Sequence, residues 1–206
     1  MATRSAHKLA ELRDLLALER AELVSLDDLG IEGDIPETGA TFEANARLKA
    51  RVGARASGLP TLADDSGLEV DALDGGPGVR TRRYAGEQAT DEENNAKLLR
   101  ALEGLPPERR GARYVCVLAL ALPAPDEPPR RMGRVRVRTV RGTSRGRIAT
   151  EPRGTNGFGY DPIFEPLSEP PGGRTFGLWS TEEKHRISHR GRAARRMAPI
   201  LSGLGF

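Results

Sequence analysis

The chain has 206 residues, of which 37% are hydrophobic and 30% are charged, and its formal net charge is +3. This length suits one α/β domain or two small lobes, and the periodic blocks of apolar residues exclude an intrinsically disordered chain. The sequence shows no signal peptide and no apolar stretch of membrane-spanning length. We therefore expect a cytoplasmic protein with no membrane partner.

In the N-terminal half, the apolar spacing predicts two amphipathic helices before the first buried strand. The first covers residues 6–20. The second begins at Thr41 as N-cap and ends near Ser57, because Gly58 and Pro60 stop it. The remaining predictions for this half are a strand at 22–26, strands near 61–64 and 67–72, an ordered loop at 71–86 rich in Gly and Arg, and a helix capped by Asp91 that runs through Leu102.

In the C-terminal half, three strands are expected to form a meander, joined by a Pro-rich turn at 123–129. Two capped helices follow, a short one opened by Ser180 and a final one from Ser188 to about Leu201. Helices and strands are mixed without strict βαβ alternation, which predicts an α/β fold with a mixed sheet. The three strands of the meander are expected at 112–122, 132–141 and 145–149.

The most basic stretch of the chain has eight arginines between positions 130 and 147. Basic clusters of this kind can bind nucleic acid. Here, however, Arg134, Arg136 and Arg138 alternate with valines, as on a half-exposed strand, and no aromatic residue lies among them to stack on bases. We therefore favour a solvated strand face and expect no stable nucleic-acid partner.

Residues 60–67 contain a short apolar run that is followed by two adjacent carboxylates, Asp64 and Asp65, and then by Ser-Gly. If the run is a buried strand, Asp64 and Asp65 at its carboxyl end point to opposite sides. One carboxylate can then anchor the turn while the other faces a cleft, where a hard cation such as Mg²⁺ would bind it. The alternative interpretation is an Asx-turn that only caps the strand.

Lysine is rare in this chain, with four lysines among 32 basic residues. Positions where lysine persists merit inspection, because a compact ammonium can act where a planar guanidinium cannot. Lys8, Lys49 and Lys184 lie beside segments with other signs of chemistry, whereas Lys97 belongs to an ordinary predicted helix. Placement by chance is the alternative.

Two further segments suit ligand binding, each with an ordinary structural alternative. Residues 154–164 form a glycine-dense loop in which Phe158 could lie against a nucleobase and Asp161 could accept hydrogen bonds from ring or sugar groups. A tight turn with two core aromatic residues is equally compatible. His189 and Arg190 fall in the first turn of the last helix, where donors suit an anion or a carbonyl oxygen. An exposed cationic turn is the alternative.

The single cysteine, Cys116, lies in an apolar run and is expected to be a reduced core residue.

Read together, these motifs resemble the inosine triphosphate pyrophosphatase family, whose members remove deaminated purine nucleoside triphosphates. The resemblance covers nearly the whole chain. Its parts, in order, are Ala2-Thr3 with Lys8, Glu37-Thr-Gly39, Thr41-Phe42 with Asn45 and Lys49, Ala63-Asp-Asp-Ser-Gly67, Gly76-Pro-Gly78, Phe158-Gly-Tyr-Asp-Pro162, Glu183-Lys184 and Ile187-Ser-His-Arg-Gly191.

The resemblance implies one nucleoside triphosphate pyrophosphatase domain over residues 1–206, forming a homodimer. Its fold would be an elongated mixed β-sheet flanked by helices, with two lobes around a central nucleotide cleft. The implied enzyme is a Mg²⁺-dependent hydrolase of the nucleotide pool. It would cleave ITP, dITP and XTP between the α- and β-phosphates to give the monophosphate and pyrophosphate.

The resemblance also implies a role for each matching residue. Asp65 would be the catalytic carboxylate, Lys8 and Lys49 the catalytic, phosphate-binding lysines, and Glu37 a second metal ligand beside Asp65. His189 and Arg190 would donate to O6 of a 6-keto purine, whereas the amino group of adenine would leave those donors unpaired. The implied substrate contacts are Thr3, Arg4, Ser5, Lys8, Ser66, Phe158, Gly159, Tyr160, Asp161, Lys184, His189 and Arg190.

The chain departs from the family pattern at three places. Arg4 replaces a glycine, Ala44 replaces a glutamate, and only Met1-Ala2-Thr3 stands where an apolar first strand is expected, so that strand is either a stub or begins upstream. Two alternatives stay open. One is a weakened or inert nucleotide-binding member. The other is a related pyrophosphatase for modified pyrimidine nucleotides, which would not explain Ser188-His-Arg190.

Overall fold

The computed structural model describes residues 1–123 and 135–206. Within them the strands form one four-stranded sheet in the order β1-β2-β3-β4, and β3 pairs antiparallel with β4, with Ile148 opposite Phe164. The predicted mixed α/β class is confirmed. In chain order the helices and strands are α1 Ala6–Leu16, α2 Phe42–Ser57, β1 Thr61–Val70, α3 Asp91–Ala101, β2 Gly111–Leu122, β3 Arg136–Ile148, β4 Phe164–Pro166, α4 Thr181–Ile187 and α5 His189–Ser202.

Local capping sets the ends of the helices. The Thr41 hydroxyl accepts the Ala44 N–H at the start of α2, and Gly58, with a φ of 69°, ends that helix as predicted. By contrast, α1 ends at Leu16, earlier than predicted, because Ala17 adopts a left-handed conformation. The N-cap of α3 is Thr90, which forms a capping box with Glu93, and not the predicted Asp91.

In two places, two consecutive predicted strands are one continuous strand in the structure. The segments 61–64 and 67–72 form β1, so Asp64 and Asp65 lie within a strand and not at its carboxyl end, and Ser66-Gly67 is not a turn. Both faces of β1 are largely buried, which favours continuing the sheet over a turn. The segments 132–141 and 145–149 correspond to β3, which is described from Arg136.

Other strand predictions have different outcomes. Residues 22–26 form no strand, and the Val24 carbonyl accepts a hydrogen bond from the Met1 amino group. The half-exposed face predicted for the basic strand is seen at Arg136 and Arg138, which are exposed beside a half-buried Val137. Most of the predicted turn at 123–129, together with Arg130, Arg131 and Arg134, lies outside the described residues.

The described residues group into two compact units. The first unit comprises Met1–Asp65, Cys116–Gly142 and Arg190–Phe206, and the second comprises Ser66–Val115 and Thr143–His189. Each unit has its own apolar core. In the first, residues of α1 and α5 pack with β1 and β2; in the second, residues of α3 pack with β1, β2, β3 and β4. Representative core residues are Leu12, Leu62, Leu118 and Met197 in the first unit and Leu68, Leu98, Tyr114, Ile148 and Phe164 in the second.

The short segment before α1 lies beside β1. Met1 and Ala2 are buried, and the Ala2 N–H donates to the Leu62 carbonyl at 2.8 Å. Among the described residues, no helix combines the length and apolar character needed to span a membrane.

Candidate active site

The predicted site residues form one cluster in each unit. The acid–lysine cluster of the first unit consists of Lys8, Glu37, Lys49, Asp64 and Asp65. The glycine-loop cluster of the second unit consists of Phe158, Gly159, Asp161, Lys184 and His189.

Asp64 is a buried carboxylate that holds two cations. Its Oδ1 lies 2.6 Å from Lys8 Nζ, and its Oδ2 lies 3.3 Å from Arg190 Nε. Burial alone would raise the pKa of Asp64, but the charges of Lys8 and Arg190 hold that pKa well below its usual range. Asp64 is therefore an ion-pairing group and not an Asx-turn cap.

Cys116 also contacts this carboxylate. The thiol is free and fully buried, as predicted, and its Sγ donates to Asp64 Oδ2 at 3.1 Å. Burial and the neighbouring Asp64 charge raise the pKa of the thiol well above its usual value. The cysteine therefore carries its proton and acts as a weak donor.

Asp65 faces the other side of β1, as strand alternation requires. Its Oδ1 lies 2.8 Å from Lys49 Nζ, and the same Nζ lies 2.8 Å from Glu37 Oε1. Burial raises the pKa of Asp65, with Lys49 opposing part of that rise. Burial would lower the pKa of Lys49, yet the charges of Asp65 and Glu37 bring it above its usual value. Two carboxylates thus converge on one ammonium group.

The carboxylates of Asp65 and Glu37 suit the predicted magnesium ion. Both approach the same Lys49 nitrogen, so their oxygens lie close together. No group of three or more His, Cys, Asp or Glu side chains arranged for a metal is found within residues 1–123 and 135–206. Magnesium in nucleotide-processing sites is commonly held by one or two carboxylates together with substrate phosphates. The donor pair therefore fits the ion.

Asn45 holds the segment that carries Glu37, a role that the sequence did not reveal. Its Oδ1 accepts the Gly39 N–H at 2.7 Å, and a Cβ at Gly39 would lie only 2.6 Å from that oxygen. Asn45 and Lys49 are one turn apart on the same face of α2. This helix therefore fixes both the Gly39 backbone and the Glu37 side chain. The spacing Glu-Thr-Gly, then Asn and Lys four apart, is the available sequence signal.

The residues just before Lys8, which are predicted substrate contacts, make hydrogen bonds and ion pairs within the first unit. Ser5 caps α1 by accepting the Lys8 N–H at 3.4 Å, and its own N–H donates to Thr3 Oγ1 at 3.2 Å. Arg4 makes contacts within the first unit, and its predicted role as a substrate contact stays a prediction. Its guanidinium pairs with Asp27 and donates to the Gly33 carbonyl at 2.6 Å, so it is already bound within the first unit.

In the second unit, Asp161 organises the glycine-dense loop. The Asp161 Oδ2 accepts from Lys184 Nζ at 2.7 Å and from the Phe158 N–H at 3.0 Å, and its Oδ1 accepts from Tyr114 Oη at 3.3 Å. Burial and the Asp161 charge raise the pKa of Tyr114 well above its usual value, so the phenol remains a donor. Asp161 therefore orders the loop in addition to any contact with a ligand.

The two aromatic residues of this loop have different environments. Phe158 is half-buried, and Lys184 Nζ lies 5.1 Å from its ring centroid. Tyr160 is a core residue, buried and hydrogen-bonded through its hydroxyl to the Thr81 carbonyl at 2.9 Å. The alternative of a tight turn with core aromatic residues thus describes Tyr160, whereas the stacking of Phe158 on a base stays a prediction. Ser66, also predicted as a contact, is a half-buried residue of β1.

His189 and Arg190 are adjacent in the chain but have different neighbours. The His189 ring stacks on Tyr114, with centroids 4.6 Å apart and planes 8° from parallel. Arg190 is fully buried and pairs with Asp64 and Glu11. Burial lowers the pKa of Arg190, but these two carboxylates raise it overall. The Nε and Nη1 atoms of Arg190 face carboxylates, and its predicted contact with O6 stays a prediction.

Sequence reasoning missed Glu11 and Tyr114. Glu11 lies three residues after Lys8 on α1, so both occupy one helix face, which is the signal that could have identified it. Tyr114 lies in the strand predicted over 112–122, and nothing in its local sequence indicates a ring partner 75 positions later. Its stacking on His189 depends on the fold.

A substitution at Gly157 tests the fixed geometry of the glycine-dense loop. Gly157 has a φ of 77°, and a Cβ there would lie 2.0 Å from Asp161 Oδ2. Gly172 has a φ of 79° and open space around the same position. We expect Gly172→Ala to cost about 1–2 kcal/mol from backbone strain alone. We expect Gly157→Ala to cost about 3 kcal/mol or more, because the Asp161 contacts must also shift.

Urea unfolding of both variants measures this difference. Equal losses would contradict the close packing of Gly157 against Asp161.

Comparison with known proteins places the chain in a family. The sequence profile of the Ham1 family matches residues 1–200. The chain is 46% identical to a dITP/XTP pyrophosphatase of Nocardia farcinica over 207 residues, which cover 99% of this chain and 94% of that protein.

Solved structures are similar along nearly the whole chain. A Ham1 protein from Coxiella burnetii is 41% identical, with a TM-score of 0.83 and coverage of 98% of this chain and 96% of that one. A nucleoside-triphosphatase, dITP/XTP pyrophosphatase, from Mycobacterium abscessus is 44% identical, with a TM-score of 0.72 and coverage of 97% and 96%. The resemblance inferred from the motifs is confirmed, and this chain belongs to the Ham1 family.

Proposed function

We propose that this chain hydrolyses deaminated purine nucleoside triphosphates, namely ITP, dITP and XTP, to the monophosphate and pyrophosphate. The observation that carries the proposal is the convergence of Asp65 and Glu37 on Lys49, with Lys8 held by Asp64 in the same unit. Relatives named dITP/XTP pyrophosphatase support it. We treat residues 1–206 as one functional domain.

We assign the phosphate chemistry to the acid–lysine cluster. Lys8 and Lys49 bind phosphate oxygens and stabilise the negative charge that moves onto the leaving pyrophosphate. Asp64, which also pairs with Arg190, keeps the Lys8 ammonium in place, while Asp65 orients the attacking water and accepts its proton.

We assign the metal site to Asp65 and Glu37, with Mg²⁺ as the ion. When bound, the ion supplies neutralising charge for the phosphates and polarises water. The chain's own part is to hold the two carboxylates together, through Lys49 and through the Asn45 contact that fixes the Glu37 segment.

We assign recognition of the base to the glycine-loop cluster. The half-buried Phe158 ring offers a stacking surface, and His189 provides a donor for the O6 atom of hypoxanthine or xanthine. Adenine has an amino group at that position, so the same donor would remain unsatisfied and adenine nucleotides would bind more weakly.

A pyrophosphate-release assay over ITP, dITP, XTP, ATP and modified pyrimidine triphosphates tests the proposal. We expect turnover of the first three nucleotides with Mg²⁺, and a loss of at least about a hundredfold when EDTA removes the ion. Restoration by added Mg²⁺ is the control for irreversible damage. Preference for a modified pyrimidine, or no turnover of any nucleotide, would contradict the proposed substrate class.

We further propose that the enzyme acts as a homodimer in the cytoplasm, where the nucleotide pool is located. The support for the dimer is the family resemblance. Light scattering after size-exclusion chromatography tests it, and a mass of one chain would contradict it.

A further inference from the structure

The first turns of α3 hold the backbone of Gly159 from two sides. The Gly159 N–H donates to Asp91 Oδ2 at 2.6 Å, and the Gly159 carbonyl accepts from Asn95 Nδ2 at 3.0 Å. Asp91 and Asn95 are four residues apart, so they lie on one face of the helix. Both backbone polar groups of this glycine are thus bonded to α3.

Gly159 continues the loop next to Phe158, the residue that is proposed to stack on the base. It follows Phe158 directly and has a φ of 64°, a conformation that favours glycine. The Phe158 N–H is bonded to Asp161, which is itself fixed by Lys184. The direction of the Phe158 ring therefore depends on the peptide unit that joins it to Gly159.

A comparison of Asn94 with Asn95 distinguishes the contact between Asn95 and Gly159 from ordinary packing. Asn94 is buried and uses both amide atoms, since its Oδ1 accepts the Ala85 N–H at 2.8 Å and its Nδ2 donates to the Arg82 carbonyl at 3.0 Å. Asn95 is also buried, but its Oδ1 has no hydrogen-bond partner among residues 1–123 and 135–206. A buried oxygen in that state lowers stability. Hydrogen bonding within the fold therefore explains the asparagine at position 95 less well than the asparagine at position 94.

We propose that Asp91 and Asn95 are positioning residues, which act through Gly159 to set the Phe158 ring for stacking on the purine base. This inference rests on the proposed function, because it assigns the base to Phe158. Neither residue touches the substrate in this scheme. Their loss leaves the acid–lysine cluster intact, so the cost falls on binding of the base and not on phosphate cleavage.

The test measures steady-state kinetics with dITP and Mg²⁺ for Asn95→Ala and Asp91→Ala. We expect each to raise KM about tenfold, equivalent to about 1.4 kcal/mol, while kcat changes by less than about threefold. Binding of dIMP, measured by calorimetry, should weaken by a similar factor. Inhibition by inorganic tripolyphosphate, which has no base, should be unchanged.

The matched controls are Asn94→Ala and Glu92→Ala. Asn94 makes the same kind of contact with a different segment, and Glu92 is an exposed acid in the same first turn as Asp91. Both should keep KM and dIMP affinity within about twofold of wild type. Thermal melts show whether each variant folds, and Asp91→Ala, an exposed site, keeps the test valid if Asn95→Ala does not fold.

The outcomes separate this inference from the proposed function. Unchanged KM and dIMP affinity in folded Asp91→Ala and Asn95→Ala would overturn the positioning role, and so would equal losses in Asn94→Ala. Weaker tripolyphosphate inhibition in these variants would also overturn it, because the defect would then reach the phosphate site. Absence of dITP turnover by the wild type would contradict the proposed function, while dIMP binding would still decide the role of α3.

Discussion

Replacing Asp65 with asparagine is expected to lower kcat for dITP by about a thousandfold or more while the protein stays folded. The substitution keeps the volume of the side chain but removes the charge that faces Lys49. That charge is also one of the two carboxylates, with Glu37, of the proposed metal site. Because Lys49 keeps its ion pair with Glu37, and burial already disfavours the charged form of Asp65, the loss of that charge should change the melting temperature little. Steady-state kinetics and thermal melts measure both effects.

Two substitutions on the same strand serve as comparisons. Glu69 also lies on β1 and is ion-paired, with Arg113, so Glu69→Gln should retain wild-type turnover. Asp64→Asn should instead destabilise the protein by about 3 kcal/mol or more, because it leaves the buried Arg190 with one carboxylate fewer and releases Lys8. Near wild-type activity in Asp65→Asn would transfer the catalytic role to Asp64 or Glu37.

Removing either lysine of the acid–lysine cluster should mainly lower kcat. Lys8→Ala and Lys49→Ala each remove a charge needed most when negative charge shifts onto pyrophosphate, and we expect losses of about 10²–10³ in kcat. Arg51→Ala is the matched control for Lys49, since Arg51 is an exposed cation on the same helix. The measurement is pyrophosphate release at saturating dITP.

Lys97 provides a second comparison. Its Nζ donates to the Tyr84 carbonyl at 2.6 Å and lies over the Tyr84 ring, so Lys97→Ala should lose some stability but keep kcat. A loss of kcat in Lys97→Ala equal to that of Lys49→Ala would show that lysine charge acts in general and not through the proposed phosphate contacts.

Much of this arrangement could be predicted from local sequence. Thr41 and Gly58 define α2, Ser180 defines the capping box of α4, and alternation along β1 turns Asp64 and Asp65 to opposite sides. Such signals involve residues within a few positions of each other. For that reason they are readable without knowledge of the fold.

The remaining features depend on contacts between distant parts of the chain. Glu11 and Arg190 are 179 positions apart, and only the fold brings them together. Arg4 and Asp27 lie on either side of α1 and 23 positions apart, and composition does not indicate that they pair. The continuity of β1 through Ser66-Gly67 was missed because Ser-Gly is a common turn pair, and the sheet overrides that local preference.

The reactivity of the buried Cys116 thiol can be used to measure local opening of the first unit. Alkylating reagents attack the thiolate, and a fully buried thiol with a raised pKa presents almost none. Because the chain has a single cysteine, the rate of maleimide labelling under native conditions measures how often the first unit opens around β2. A bound nucleotide that stabilises the unit would slow the labelling, so substrate affinity can be followed without turnover.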